Sequence, residues 1–130
     1  MQEDAAAIDA YLHDLSQVPS PHLVNGSYSL AAERGKKLFI ESGCIHCHPP
    51  PLYTNLKSYD AGTDTGKDKG KKFDVPTLRE VWRTAPYLHD GRAVTIEEVI
   101  TIHNIDDIRG STSMLNEKQI RDLAEYVRSL

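Results

Sequence analysis

The chain has 130 residues, a length that fits one domain or one domain with an extension. Hydrophobic residues make up 39% and charged residues 26%, the ordinary range for a globular protein, and nothing approaches the apolar run of about 18 residues that spans a membrane. The formal net charge of −4 argues against nucleic-acid binding, because phosphate recognition depends on concentrated Lys and Arg.

The amino-terminal segment is predicted to be a short helix followed by a linker. Residues 3–17 place Ile8, Leu12 and Leu15 at helical spacing. Residues 18–21 (Val-Pro-Ser-Pro) end the helix, because proline supplies no backbone donor and restrains the residue before it.

The same segment is similar in sequence to the end of the chain. Residues 7–15 (Ala-Ile-Asp-Ala-Tyr-Leu-His-Asp-Leu) resemble residues 122–130 (Asp-Leu-Ala-Glu-Tyr-Val-Arg-Ser-Leu). We therefore hypothesise that residues 1–28 are an N-terminal helix and linker from the tail of an upstream module, and that residues 29–130 form the domain itself. The alternative is that two short amphipathic helices match by chance.

A second helix is predicted from Ser29, a good N-cap, to about Glu41. Its Gly35 would let a partner helix approach closely. Ser42-Gly43 then ends the helix and leads into a cysteine motif.

The motif Cys44-Ile45-His46-Cys47-His48 is the attachment pattern of c-type haem. Cys44 and Cys47 can reach two vinyl groups on one porphyrin edge and form thioethers, and His48 is then held where its imidazole can bind the iron. The alternatives are a thioredoxin-like motif, which should follow a strand, a zinc site, which usually needs four ligands, and a simple disulfide. His46 is predicted to be a surface residue.

The rest of the chain holds an exposed loop and two further helices. Residues 57–72 contain almost nothing that could be buried and are predicted to be the loop. Thr95-Ile96-Glu97-Glu98 has the capping-box pattern and opens a helix whose apolar face reaches His103. Asn116 is the N-cap of the last helix, which carries an apolar stripe to Leu130.

Two residues compete for the second axial position on the iron. His103 lies on the apolar stripe of its helix, and Met114 lies in a loop just before the last helix. A sulfur ligand would raise the reduction potential relative to two imidazoles. The stripe favours His103, while Met114 and an iron that is open or otherwise ligated stay as alternatives.

Five segments carry a resemblance to a known family, and residues 95–100 and the terminal helix complete a match that covers roughly residues 29–130. They resemble the carboxy-terminal haem domain of bacterial dihaem cytochrome c peroxidases and their MauG-like relatives. The resemblance implies an all-α, class I cytochrome c fold around one covalently bound haem c. The segments are 34–39 (RGKKLF), 43–48 (GCIHCH), 51–55 (PLYTN), 73–79 (FDVPTLR) and 84–91 (TAPYLHDG).

The resemblance also suggests roles for single residues. It implies that the first and last helices of the domain cross near Gly35, Phe39 and Tyr126. Where the family has methionine or tyrosine facing the iron, this sequence has His103. Arg79 would neutralise a haem propionate, with a plain exposed arginine as the alternative.

These observations predict electron transfer through one bis-histidine haem, as a module of a larger redox protein with a redox partner or a neighbouring haem domain. The family's peroxide chemistry occurs at a second haem, and the chain has no second Cys-x-x-Cys-His. A peroxidase-type or MauG-like oxidoreductase domain is the alternative, and a haem-based sensor is a third. Haem attachment implies a periplasmic or extracellular location. Because the start Met1-Gln2-Glu3-Asp4 lacks the features of a secretory signal, we expect sequence upstream of Met1.

Overall fold

The computed structural model describes residues 2–60, 62 and 66–130, so Met1 and part of the predicted 57–72 loop lie outside it. Within those residues the fold is helical, as predicted, with one small antiparallel hairpin in which Ser58 pairs with Asp74. The elements are α1 (Gln2–Asp14), α2 (Leu30–Glu41), β1 (Ser58–Tyr59), β2 (Phe73–Asp74), α3 (Ile96–Ile100) and α4 (Glu117–Arg128), with 3-10 turns at Cys44–His46, Gly66–Asp68, Val81–Arg83 and Ile105–Asp107.

Side-chain caps begin α2 and α4 where the sequence predicts them. The Ser29 hydroxyl accepts from the backbone N–H of Ala32 at 3.1 Å. At α4, Asn116 and Gln119 cap each other's backbone N–H groups in a complete capping box. Each cap satisfies donors that the first helical turn leaves without a partner.

The core of the domain is the crossing of α2 and α4. The helices approach so closely at Gly35 that an added Cβ would lie 2.6 Å from the carbonyl carbon of Asp122 and 2.8 Å from Cβ of Tyr126. Beside the crossing, the rings of Phe39 and Tyr126 pack edge to face at 5.3 Å. The predicted apolar stripe of α4 is buried, including Leu123 and Leu130.

An ion-pair cluster joins the two helices at the same crossing. Asp122 is buried, and its carboxylate accepts from Nε and Nη2 of Arg34 at 2.7 and 2.8 Å and from Nζ of Lys118 at 2.7 Å. Hydrogen bonds from Arg34, followed by those from Lys118, lower the pKa of Asp122 from its ordinary 3.8 to about 2. The carboxylate therefore stays charged through most of the acid range.

Replacing Asp122 with Asn should make stability less dependent on acid pH. Because the folded pKa lies below the unfolded one, the carboxylate's contribution is present above about pH 4 and is lost as the pH falls through about 2. We expect Asp122→Asn to lower the free energy of unfolding by about 1–2 kcal/mol at pH 7 and by much less at pH 2.5. Urea unfolding at both pH values measures this, with the exposed Glu117→Gln as control. An equal loss of unfolding free energy at both pH values would contradict the prediction.

The linker after α1 packs against the end of α4. The hydroxyl of Ser20, which is buried, donates to the Arg128 carbonyl at 2.6 Å, and Nδ1 of His22 lies 3.2 Å from the Glu125 carboxylate. The helix itself ends at Asp14, three residues earlier than predicted. Its apolar residues Ile8 and Leu12 are exposed, as is Leu15, which follows it.

The helix after Thr95 is shorter than predicted. The Thr95 hydroxyl caps it as expected, but α3 ends at Ile100 because Thr101 leaves the helical conformation at φ −121°, ψ −87°. The prediction that the helix itself carries His103 is therefore wrong, and His103 lies in the turn that follows. None of the helices in the described part of the chain has the length and hydrophobicity to cross a bilayer.

Candidate functional site

The cysteine motif forms a single 3-10 turn at the end of α2. Gly43, in the left-handed conformation at φ 82°, redirects the chain after the Ser42 C-cap. The N–H groups of Cys47 and His48 then bond back to the Cys44 carbonyl at 3.3 and 2.9 Å. The two cysteines therefore flank this turn, Cys44 as its first residue and Cys47 as its C-cap.

Both thiols are free and half-buried. Burial raises the pKa of the Cys44 thiol to about 11, so this side chain is protonated at neutral pH. This geometry gives little support to a disulfide, a thioredoxin-like motif or a zinc site. The cysteines are not paired, the motif follows a helix rather than a strand, and among residues 2–60, 62 and 66–130 no three His, Cys, Asp or Glu side chains are grouped to hold a metal ion.

The His48 ring is held in one tautomer by the backbone. Its Nδ1 lies 2.9 Å from the Tyr53 carbonyl oxygen, which can only accept, so Nδ1 carries the proton and Nε2 keeps its lone pair. Burial lowers the pKa of His48. The carbonyls of Tyr53 and Pro76 favour the protonated form and act in the opposite direction, but burial is the larger effect. A neutral imidazole with a fixed Nδ1–H is the form that binds a metal through Nε2.

The contact of Tyr53 with His48 was not predicted from the sequence. Its N–H closes a tight turn onto the Pro49 carbonyl at 2.8 Å, and its φ is 53°. That turn aims the Tyr53 carbonyl at the histidine. The run of prolines after His48 could have indicated a turn there, but not the direction of one carbonyl.

The loop that carries His103 lies directly against the cysteine motif. The N–H of Ser111 donates to the Ser42 carbonyl at 2.9 Å. At Gly110 an added Cβ would lie 2.9 Å from that same carbonyl oxygen and 3.4 Å from Sγ of Cys44. Residues 103 and 44, far apart in sequence, therefore belong to neighbouring segments.

This loop exposes large apolar side chains. Ile102, Ile105 and Ile108 keep 69%, 62% and 53% of their surface accessible. A porphyrin would bury such side chains and gain their hydrophobic free energy. Two free thiols, a neutral imidazole with its proton on Nδ1 and an exposed apolar loop beside Cys44 are together the donor set and surroundings that fit a haem.

Of the remaining predicted ligands, His103 is half-buried and Met114 is 91% exposed. Arg79 is half-buried, and its Nε donates to Gln17 at 2.6 Å at the edge of a cavity of about 570 Å³ that Tyr28 and Tyr53 also line. The axial role of His103 and the propionate contact of Arg79 stay predictions.

Comparison with known proteins identifies the family. Residues 32–130 match the sequence family described as cytochrome c. The γ subunit of hydrazine synthase from Kuenenia stuttgartiensis is 36% identical over 62% of the chain and 26% of its own length. The cytochrome-c peroxidase IdrP1 of Denitromonas iodatirespirans is 29% identical over the whole chain and 50% of its own length. The methylamine utilization protein MauG of Methylorubrum extorquens is 30% identical over 76% of the chain and 34% of its own length.

The fold has a solved counterpart. A structure of Kuenenia stuttgartiensis hydrazine synthase, pressurized with 20 bar xenon, superposes with a TM-score of 0.82 at 28% identity, covering 92% of this chain and 52% of that one. The chain therefore spans between a quarter and about half of the length of these similar proteins.

Proposed function

Because the chain belongs to the cytochrome c family, whose members hold haem c covalently, we propose that it transfers electrons through a single haem. Cys44 and Cys47 would supply the thioethers, and His48 and His103 the two axial nitrogens. The observation that carries this proposal is the anchoring of the His103 loop to the cysteine motif through Ser111 and Gly110. This contact places the loop that carries His103 beside the motif that carries His48, which supports the choice of His103 as the second ligand.

The haem would supply one-electron redox chemistry, and the protein would set its conditions. The Tyr53 carbonyl fixes the His48 ring, so that little atomic rearrangement would accompany a change in the charge of the iron. Burial disfavours the imidazolium of His48 and keeps its Nε2 lone pair available as a ligand. The apolar side chains around Ile105 would exclude water from the haem.

We place the domain within a longer periplasmic or extracellular polypeptide, where it passes electrons to or from a redox partner or a neighbouring haem domain. The support is that the chain matches only part of each relative, and that haem attachment takes place outside the cytoplasm.

A second candidate function is a domain of a peroxidase-type or MauG-like oxidoreductase. It is favoured by the match of the cytochrome-c peroxidase IdrP1 to the whole chain, including the segment before α2. Added hydrogen peroxide separates the two functions. A reactive iron would change the ferric spectrum quickly, whereas a six-coordinate electron carrier should not respond.

Replacing His103 tests the proposed ligation. We expect ferric wild type to be low-spin, without the far-red sulfur-to-iron band. In His103→Ala the spectrum should become predominantly high-spin and return to low-spin when imidazole is added. Absorption spectra of haem-loaded protein measure both, with Met114→Leu as the control that leaves them unchanged. If Met114→Leu changes the spectrum and His103→Ala does not, the ligand is sulfur and the proposal is wrong.

A further inference from the structure

The segment that carries His103 has few regular backbone restraints. After α3 ends at Ile100, the chain passes through residues 101–113 with only a single 3-10 turn, Ile105–Asp107. Within that turn Asp106 and Asp107 both have φ of 56°, in the left-handed region that side chains with a Cβ rarely adopt. Backbone hydrogen bonds hold single points of the loop, among them the bond from the His103 N–H to the Glu98 carbonyl at 3.0 Å, and side-chain hydrogen bonds add to them.

A buried polar pair holds the two ends of the loop together. Asn104 and Thr112 are both buried, and the Asn104 amide donates to the Thr112 hydroxyl and to the Gly110 carbonyl, each at 2.7 Å. The Thr112 hydroxyl in turn donates to the carbonyl of Ile100, the last residue of α3, at 2.6 Å. The pair thus connects the end of the helix to the glycine that lies against Cys44.

Arg109 contacts this pair and His103 at once. Its guanidinium Nη1 donates to the His103 carbonyl oxygen, and its backbone N–H donates to Oδ1 of Asn104 at 2.8 Å. A half-buried guanidinium on a backbone carbonyl is a strong, charge-assisted hydrogen bond.

We infer that Arg109 is a positioning residue, which fixes the backbone of His103 and thereby the direction in which its imidazole points. The inference rests on the proposed ligation of the iron by His103. A charged donor on the carbonyl of the ligand residue, backed by the Asn104–Thr112 pair, restricts how far the residue can move. A distal histidine held in this way leaves the iron less often than one on an unrestrained loop.

The test compares Arg109→Met, which keeps the length of the side chain but removes its donors, with Arg109→Lys, whose ammonium can donate to the same carbonyl. In haem-loaded ferric protein we expect added imidazole to bind Arg109→Met about tenfold more tightly than wild type, because the loss of a charge-assisted hydrogen bond favours release of His103 by about that factor. Arg109→Lys should fall close to wild type. Arg121→Met, which removes an exposed guanidinium from α4, should equal wild type.

A merely structural role would lower the melting temperature of Arg109→Met and leave its imidazole affinity and low-spin electron paramagnetic resonance signal at the wild-type values. That result would overturn the inference. If Arg109→Met does not fold, the pair Thr112→Val and Thr112→Ser replaces it. Valine removes the hydroxyl and should raise imidazole affinity, whereas serine keeps it and should not; equal affinities in the two variants would again overturn the inference.

His103→Ala separates this failure from that of the proposed function. If His103→Ala leaves the wild-type spectrum unchanged, the ligation is wrong and the positioning role is lost with it. If His103→Ala turns the spectrum high-spin while Arg109→Met and Thr112→Val bind imidazole as wild type does, the proposed function stands and only the positioning role fails.

Discussion

Replacing both Cys44 and Cys47 with serine is expected to abolish covalent haem attachment. The two half-buried cysteines flank a single 3-10 turn, and no other cysteine exists in the sequence to replace them. Each single variant, Cys44→Ser or Cys47→Ser, should retain one thioether and therefore some covalent haem. Haem staining of the denatured protein, matured with a haem attachment system, measures the retained fraction.

The control for this experiment lies within the motif. His46 is exposed, and its Nδ1 lies 2.9 Å from the Gly43 carbonyl, so its ring is engaged away from the two thiols. His46→Ala should stain like wild type. Covalent haem in the double serine variant would show that another residue makes the attachment, and would remove the basis of the proposed site.

The second large effect is expected at the helix crossing. Gly35→Ala should lower the free energy of unfolding by about 3 kcal/mol or more, because its Cβ meets backbone atoms of α4 that cannot turn aside as a side chain could. The loss occurs although alanine favours a helix over glycine by about 1 kcal/mol. Chemical denaturation followed by circular dichroism measures it.

Lys37→Ala provides the comparison for Gly35→Ala. Lys37 is exposed on the same helix, so its replacement should change the free energy of unfolding by no more than about 0.5 kcal/mol. If Gly35→Ala is as stable as this control, the two helices do not approach as closely as the structure shows. Loss of stability in Gly35→Ala should be accompanied by weaker haem retention, since α2 ends directly in the cysteine motif.

Local sequence rules were reliable where one short segment contains all the interacting groups. The caps at Ser29 and Asn116 were predicted and found, because a cap forms between residues two or three positions apart. The close helix approach at Gly35 was also expected, since the family resemblance supplied the partner helix. The end of α3 was misplaced by three residues, because the apolar spacing continues to His103 while the backbone leaves the helix at Thr101.

The sequence by itself determined the haem attachment pattern: Cys44, Cys47 and His48 lie within five residues, so their spacing is recognised without knowledge of the fold. Only the tertiary structure decided what surrounds that motif. The carbonyl of Tyr53 on His48, the packing of Gly110 against Cys44 and the bond from Arg109 to His103 depend on how turns and loops are placed in three dimensions. No periodicity encodes such contacts, because backbone carbonyls are the same in every residue and acquire a role only from the position into which the fold brings them.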